Sequence, residues 1–237
     1  MNSTEEPRKQ KNKDKSKSKK HKNPFRHLFY DFVKVTGALS AFVYIRPKRI
    51  YENKKATKAL RGRLMVASNH TGVLDALPLH FAFPTRRLHF LAMKEVFSKP
   101  LGRWFFTHVL CIPVDRQNFG MASFNQAVDV LRDDRTLCIF PEGAINAEGK
   151  GVNAYKQGVA LIAIRGKAPI VPVYIAPRKK WYKRTVIVIG EPITVATGDI
   201  PVADMMGSVA SITEQLHEKE LALADIYEKW KNRKSTK

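Results

Sequence analysis

The sequence has few cysteines, no long uninterrupted apolar run and no phosphate-binding glycine loop, and each shortage argues against a class of protein. Only two of the 237 residues are cysteine, with no Cys-x-x-Cys motif or Cys/His cluster. A disulfide framework and a zinc site are therefore not indicated. The longest apolar run, residues 35–45, falls short of the roughly 20 residues that a spanning helix needs. Neither G-x-G-x-x-G nor G-x-x-x-x-G-K-[S/T] occurs, so no nucleotide site is signalled.

Acidic residues are half as frequent as basic ones. The chain has 21 Asp and Glu against 42 Lys and Arg, giving a net charge of +21. Such an excess calls for an acidic partner, and anionic lipid headgroups and nucleic acid are the obvious choices. Basic residues cluster at the termini and no known nucleic-acid-binding pattern occurs. We therefore expect an anionic membrane surface as partner and no nucleic acid.

The N-terminal part of the chain divides into a basic tail and an apolar segment. Residues 1–24 have almost no apolar side chains and are predicted to form a disordered tail, either an electrostatic tether to a membrane or simply solvated. Residues 25–47 carry apolar side chains at helical spacing, namely Phe25, Leu28, Phe29, Phe32 and Val33. Asp31 and Lys34 fall on the other side, which predicts an amphipathic helix lying in the membrane interface. A helix packed on the domain and a single membrane pass are the alternatives.

From residue 48 onward, apolar runs of strand length alternate with helical patterns. The predicted strands are 63–68, 87–93, 110–116, 136–143, 168–177 and 183–193. The predicted helices are 74–83, 99–109, 120–134, 154–166 and 203–234. This alternation predicts an α/β fold with a mixed, largely parallel sheet flanked by helices. We assign residues 48–200 to one catalytic domain and residues 201–237 to a helical extension.

Polar residues follow three of the predicted strands. His70 and Asp75 follow the first, Arg116 follows the third, and Glu142 follows the fourth. In α/β sheets, functional groups collect at the carboxyl ends of strands. Each cluster also has a structural interpretation: Asp75 as a helix cap, Arg116 as a surface ion pair, Glu142 as a turn residue.

The residue types suggest acid–base chemistry without a covalent enzyme intermediate. A histidine accepts a proton at neutral pH, and a carboxylate fixes its tautomer. His70 and Asp75 are therefore candidates for a general base and its partner. The Arg116 guanidinium suits a phosphate group, and Lys156 is either a second phosphate contact or simply an exposed helix residue. No G-x-S-x-G elbow is present, so we expect a direct attack by a hydroxyl on an activated carbonyl.

Four sequence blocks resemble the glycerolipid acyltransferase family, whose best-known class is lysophosphatidic acid (1-acyl-sn-glycerol-3-phosphate) acyltransferase. The blocks are "NHTGVLD" at 69–75, "IPVDR" at 112–116, "FPEGAIN" at 140–146 and "IVPVYIAP" at 170–177. They occur in the family's order. The third departs from the usual FPEGTRS, and its missing arginine removes a positive charge near the acceptor.

The resemblance implies a transfer of a fatty acyl chain from acyl-CoA or acyl carrier protein to a glycerol hydroxyl. It implies His70 as base, Asp75 as its partner, and Arg116, Glu142 and Gly143 around a lysophospholipid acceptor. It implies no metal or cofactor, and a location on the cytoplasmic face of the membrane. Lysophosphatidic acid is the favoured acceptor. Another lysophospholipid, glycerol 3-phosphate and a lyso-aminolipid are alternatives, as is a non-catalytic lipid-binding or nucleic-acid-binding protein.

Overall fold

The computed structural model describes residues 27–115, 119–145, 154–178, 183–195 and 201–235. The helices are α1 (Leu28–Ile45), α2 (Lys54–Ala59), α3 (Ala76–Ala82), α4 (Pro100–His108), α5 (Met121–Arg132), α6 (Gly158–Gly166) and α7 (Val202–Ser235). The strands are β1 (Lys48–Tyr51), β2 (Leu64–Ser68), β3 (Leu88–Met93), β4 (Cys111–Val114), β5 (Thr136–Ile139), β6 (Ile170–Ile175) and β7 (Val186–Ile189). The predicted basic tail and Arg116 lie outside the described residues.

The seven strands form one mixed sheet in the order β1-β7-β6-β2-β5-β3-β4. Neighbouring strands are parallel except for β6 and β7, which are antiparallel. Five strands, from β6 to β4, therefore run in one direction, while β7 and β1 run in the other. The largely parallel α/β fold is confirmed. The edge strand β1 and the short helix α2 were not predicted.

The central strand β2 separates two hydrophobic layers. Its residues are all buried, as expected for a strand covered on both faces. Met65 and Ala67 pack with α5, α6 and α7, whereas Leu64 and Val66 pack with α3 on the opposite face. We call these the α7 face and the α3 face. The alternation follows from the two-residue period of a strand.

The α7 face is closely packed. A Cβ built on Gly166 of α6 would lie 2.5 Å from Leu131 Cδ1 of α5, which is closer than real Cβ contacts. Glycine therefore lets α5 and α6 approach each other at this point. Leu131 is fully buried, so this contact is part of the core.

Helix α1 is attached to the body through its polar side. The Asp31 carboxylate accepts two hydrogen bonds from the Arg87 guanidinium, at 2.9 and 2.6 Å. Lys34 Nζ donates to the carbonyl oxygens of Pro84 and Arg86. Phe29, predicted to share one apolar face with its neighbours, instead packs edge-on against Trp104 of α4, with 4.7 Å between the ring centroids. The aromatic side chains of α4 explain this difference.

Part of the apolar surface of α1 is exposed, although Tyr30 and Ile45 are buried. Its exposed members are Leu28, Phe32, Val35, Leu39, Phe42 and Val43. Val35 and Leu39 are 74% and 75% exposed. The helix has 18 residues and a mean hydropathy of 1.4, which by length and composition alone suffices to cross a membrane. We define this stripe of side chains as the α1 apolar stripe.

Candidate active site

The predicted pair of His70 and Asp75 meets at the carboxyl end of β2. The chain leaves the strand at Ser68 and turns into α3, which begins at Ala76. His70 Nδ1 lies 3.0 Å from Asp75 Oδ2. Asp75 occupies the position before α3, yet its side chain makes no capping hydrogen bond to that helix. The capping interpretation of Asp75 is therefore wrong.

The turn between the two residues folds around the Asp75 carboxylate. The backbone N–H groups of Thr71 and Gly72 donate to Asp75 Oδ2, the latter at 2.8 Å. The Thr71 hydroxyl donates to Asp75 Oδ1 at 3.1 Å. These donors fix the carboxylate, which in turn fixes the imidazole. The hydroxyl of Thr71 was not predicted as part of the site, although it lies inside the motif.

The His70 ring is held in one orientation with one nitrogen directed to Asp75. It stacks on Phe140, with 4.2 Å between ring centroids and 14° between ring planes. The side chain is 13% exposed. Since Nδ1 is engaged by the carboxylate, Nε2 is the nitrogen through which this ring can act on a ligand. Phe140 was also missed, because an aromatic residue at a strand end carries no sequence signal of its own.

Glu142 and Gly143 belong to the turn that follows β5. Glu142 is buried, and its Oε1 accepts a hydrogen bond from the His70 backbone N–H at 3.0 Å. Gly143 has a φ of +69°, a conformation that favours glycine. The turn is closed by a hydrogen bond from Gly143 N–H to the Phe140 carbonyl. The predicted clusters of His70 and of Glu142 are thus joined by a hydrogen bond from the His70 backbone to the Glu142 carboxylate.

Lys156 lies directly over that turn. A Cβ built on Gly143 would lie only 2.8 Å from Lys156 Nζ. The Lys156 backbone N–H also donates to the Pro141 carbonyl at 3.1 Å. The ammonium group is therefore placed beside the turn, rather than at a distant point on α6, and supplies a positive charge near the candidate base.

Asn69 anchors residues 69–75, which we call the histidine loop, to the sheet. Its side-chain nitrogen donates to the Ile175 carbonyl at 2.9 Å, and its side-chain oxygen accepts from the Ile175 N–H at 2.7 Å. Asn69 is almost completely buried. It therefore ties the start of the loop to the end of β6, a role that its place in the motif does not reveal.

The site opens into a large apolar cavity of about 2100 Å³. His70, Gly143 and Lys156 line it, together with apolar residues of α1, α3 and α4. It also reaches Thr136, where β5 begins. The cavity therefore extends along the sheet from the carboxyl ends of the strands towards their amino ends.

The remaining predicted chemistry can be placed only in part. Asp115 follows β4 and contacts Lys94, while Arg116 lies outside the described residues. Both cysteines are free, and burial raises the pKa of Cys111 to about 12. A protonated thiol is a poor nucleophile. Within the described ranges, no three His, Cys, Asp or Glu side chains are grouped to hold a metal. The expectation that no metal is used stays a prediction.

Known proteins with similar sequences carry acyltransferase names. The 1-acyl-sn-glycerol-3-phosphate acyltransferase of Bacillus subtilis is 29% identical over 188 residues, which are 77% of this chain and 92% of that protein. A probable 1-acyl-sn-glycerol-3-phosphate acyltransferase of Mycoplasma pneumoniae is 30% identical over 153 residues, covering 61% of this chain and 55% of that protein.

The fold is also similar to that of a solved structure. The 1-acyl-sn-glycerophosphate (LPA) acyltransferase of Thermotoga maritima superposes with a TM-score of 0.56 at 21% identity, covering 81% of this chain and 80% of that one. The family model described as Acyltransferase matches residues 48–176, more than half of the chain. These residues include the histidine loop, the Glu142 turn and the strands that carry them. This chain belongs to the acyltransferase family.

Proposed function

We propose that this acyltransferase moves a fatty acyl chain from a thioester, acyl-CoA or acyl carrier protein, to the free hydroxyl of lysophosphatidic acid. The product is phosphatidic acid. The observation that carries the proposal is the contact of 3.0 Å between His70 Nδ1 and Asp75 Oδ2 beside a large apolar cavity. The names of the Bacillus and Mycoplasma relatives support this acceptor.

In the proposed reaction, His70 acts as a general base through Nε2. It removes the proton from the acceptor hydroxyl while the hydroxyl oxygen attacks the thioester carbon. The tetrahedral intermediate then expels the thiolate, which receives the proton from His70, and the new ester is released. Asp75 keeps the proton on Nδ1 and stabilises the imidazolium that forms in between. The site needs no covalent acyl-enzyme for this sequence.

The acceptor headgroup would bind at the turn after β5. Lys156 Nζ lies beside Gly143, and we assign it, together with Arg116, to the phosphate of the acceptor. Glu142 would accept hydrogen bonds from the glycerol part, in addition to its hydrogen bond with the His70 backbone. Ala144, Ile145 and Asn146 bring no positive charge, so the phosphate depends on the other two cations.

The membrane side of the proposal depends on α1. Its polar side chains bind the protein body, and the α1 apolar stripe is left facing outward. We propose that the stripe lies in the interface of an anionic membrane on its cytoplasmic face. In that position α1, which also lines the cavity, would border the route by which acyl chains enter.

The test is acyl transfer from labelled acyl-CoA and from acyl carrier protein to a panel of lysophospholipids in mixed anionic vesicles. Lysophosphatidic acid should be the preferred acceptor, and His70→Ala should lower kcat roughly 100- to 10,000-fold. His108→Ala is the matched control, since His108 is exposed on α4, hydrogen-bonds to the Trp104 carbonyl of its own helix and packs edge-on against Phe29. Transfer to another acceptor would change the assigned substrate but leave the proposed mechanism unchanged. Vesicle binding without any transfer would favour a non-catalytic lipid-binding protein.

A further inference from the structure

A buried carboxyl group lies on α7, and its side chain does not line the cavity. Glu220 of α7 has no exposed surface, and within the described part of the chain neither of its carboxyl oxygens has a hydrogen-bond partner. Burying an unpaired carboxylate costs several kcal/mol or more. Such a residue is hard to explain by stability alone, since an apolar side chain of similar size would pack there at lower cost.

The position of Glu220 follows from its neighbours on α7. Leu216, Glu220 and Leu223 are spaced at helical intervals and share one face of the helix. Leu216 is part of the cluster on the α7 face that includes Ala67 of β2. Leu223 lies near Pro172, since both side chains are within 3.1 Å of a Cβ built on Gly190. Glu220 is thus held between two points of the central strands.

The polar groups that act on Glu220 are those of the active-site loops. Burial raises the pKa of its carboxyl well above the ordinary value, the Glu142 carboxylate raises the pKa further, and the Asn69 backbone N–H opposes both. Asn69 directly follows β2, and Glu142 follows β5, its hydrogen-bonded neighbour. Glu220 therefore lies on the α7 side of the loops that carry Asn69 and Glu142.

We propose that Glu220 is a positioning residue that holds Glu142 and the Asn69–His70 backbone in place from the α7 face. In its neutral form it avoids repulsion with the Glu142 carboxylate and presents a polar group to that carboxylate and to the Asn69 N–H. Glu142 in turn holds the backbone of His70. The role rests on the proposed function, because its value for activity depends on His70 acting as the base.

The first experiment compares Glu220→Gln and Glu220→Leu in the acyl-transfer assay and in thermal unfolding. Glu220→Leu should keep or raise Tm, because it removes an unpaired polar group from the core. Its kcat should nevertheless fall roughly 10- to 100-fold, with KM changed less, because the base loses its orientation. Glu220→Gln keeps one donor and one acceptor and should retain most of kcat. Wild-type kcat in Glu220→Leu, or equal losses in both variants, would overturn the proposal.

A matched control and a second readout separate positioning from folding. Leu216→Ala, on the same face of α7, should lower Tm and leave kcat of the folded enzyme unchanged. The NMR resonance of the His70 Nδ1–H proton should shift in Glu220→Leu and stay in place in Leu216→Ala. This measurement needs no substrate. If the wild type shows no acyl transfer but the His70 resonance shifts in Glu220→Leu, acyl transfer is rejected and the positioning role is supported. If the wild type is active and the resonance does not shift in Glu220→Leu, the positioning role is rejected.

Discussion

The two faces of the sheet differ in how completely helices cover them. On the α7 face, helices α5, α6 and α7 close a continuous core with fully buried residues such as Leu131 and Leu216. On the α3 face, α1 and α3 border a cavity of about 2100 Å³ that also reaches Val159 and Ile162 of α6, and α1 turns its apolar stripe outward. One face is packed to stabilise the fold, and the other leaves apolar surface for something else to cover.

The difference shows why apolar composition alone does not predict burial. The apolar side chains of α1 are mostly exposed, whereas its charged residues Asp31 and Lys34 bind the body. Along α7, most of whose described side chains are polar, the carboxyl group of Glu220 is completely buried. In both helices the exceptions to the usual pattern are the residues on which the proposals rest, the proposed membrane contact for α1 and the proposed positioning role for Glu220.

Asp75→Asn should affect chemistry on the α3 face and leave folding intact. The amide keeps an oxygen that can accept from the Thr71 and Gly72 N–H groups, so Tm should change little. It cannot fix the imidazole in the same tautomer, and kcat should fall roughly 100- to 10,000-fold. Steady-state kinetics and thermal unfolding measure the two effects. Asp129→Asn, at an exposed site on α5, is the control, and a kcat loss below about tenfold in Asp75→Asn would contradict the assigned role.

Leucine-to-alanine changes should have unequal costs on the two faces. Leu131→Ala opens a void in the closed α7 face and should lower the free energy of unfolding by about 2–5 kcal/mol. Leu77 of α3 is half-buried and borders the cavity. Leu77→Ala should therefore lower the free energy of unfolding clearly less, because that side chain already borders open space. Urea unfolding of both variants gives the comparison. Equal losses would mean that the cavity is not a preformed feature of the fold.

The α1 apolar stripe should control membrane binding without affecting the α7 face. Val35→Glu combined with Leu39→Glu removes two apolar side chains from the interface, each contributing about 1.5 kcal/mol or more. The partition coefficient into anionic vesicles should therefore fall by roughly 100-fold, while Tm in detergent-free buffer should not fall. Met206→Glu, at an exposed position of α7, is the matched control. A partition coefficient that stays at the wild-type value would mean that the α1 apolar stripe does not contact the membrane.

The histidine loop and the sheet around it could be predicted from the sequence because local signals agreed. The buried run of β2, the polar turn and the start of α3 are adjacent in the chain, so the closeness of His70 and Asp75 follows from a short segment. The cluster of His70 and Asp75 and that of Glu142 were also correctly expected at the carboxyl ends of parallel strands, whereas Arg116 lies outside the described residues. The catalytic roles of these residues stay predictions.

Other features could not be predicted because they depend on contacts distant in sequence. The edge strand β1 contains the exposed charged residues Lys48 and Arg49, and its pairing with β7 joins segments more than 130 residues apart. Glu220 lies in a run of charged residues, and the surrounding sequence does not indicate that it is buried. Only the packing of α7 on the sheet brings it close to Asn69 and Glu142.

The smallest expected effect is a pH dependence of stability that arises from Glu220. Its pKa is raised in the folded state, so the folded protein binds a proton that the unfolded chain releases above about pH 4.3. The free energy of unfolding should therefore fall as pH rises from that value through the folded-state pKa, by at most about 1.4 kcal/mol per pH unit. Glu220→Gln cannot ionise and should lack this slope, whereas Glu218→Gln, at an exposed position, should retain it. Urea unfolding at about pH 5 and about pH 8 measures the difference between the variants. Parallel pH profiles for wild type and Glu220→Gln would mean that the carboxyl is not held neutral, and the buried proton that links α7 to the active site would then be absent.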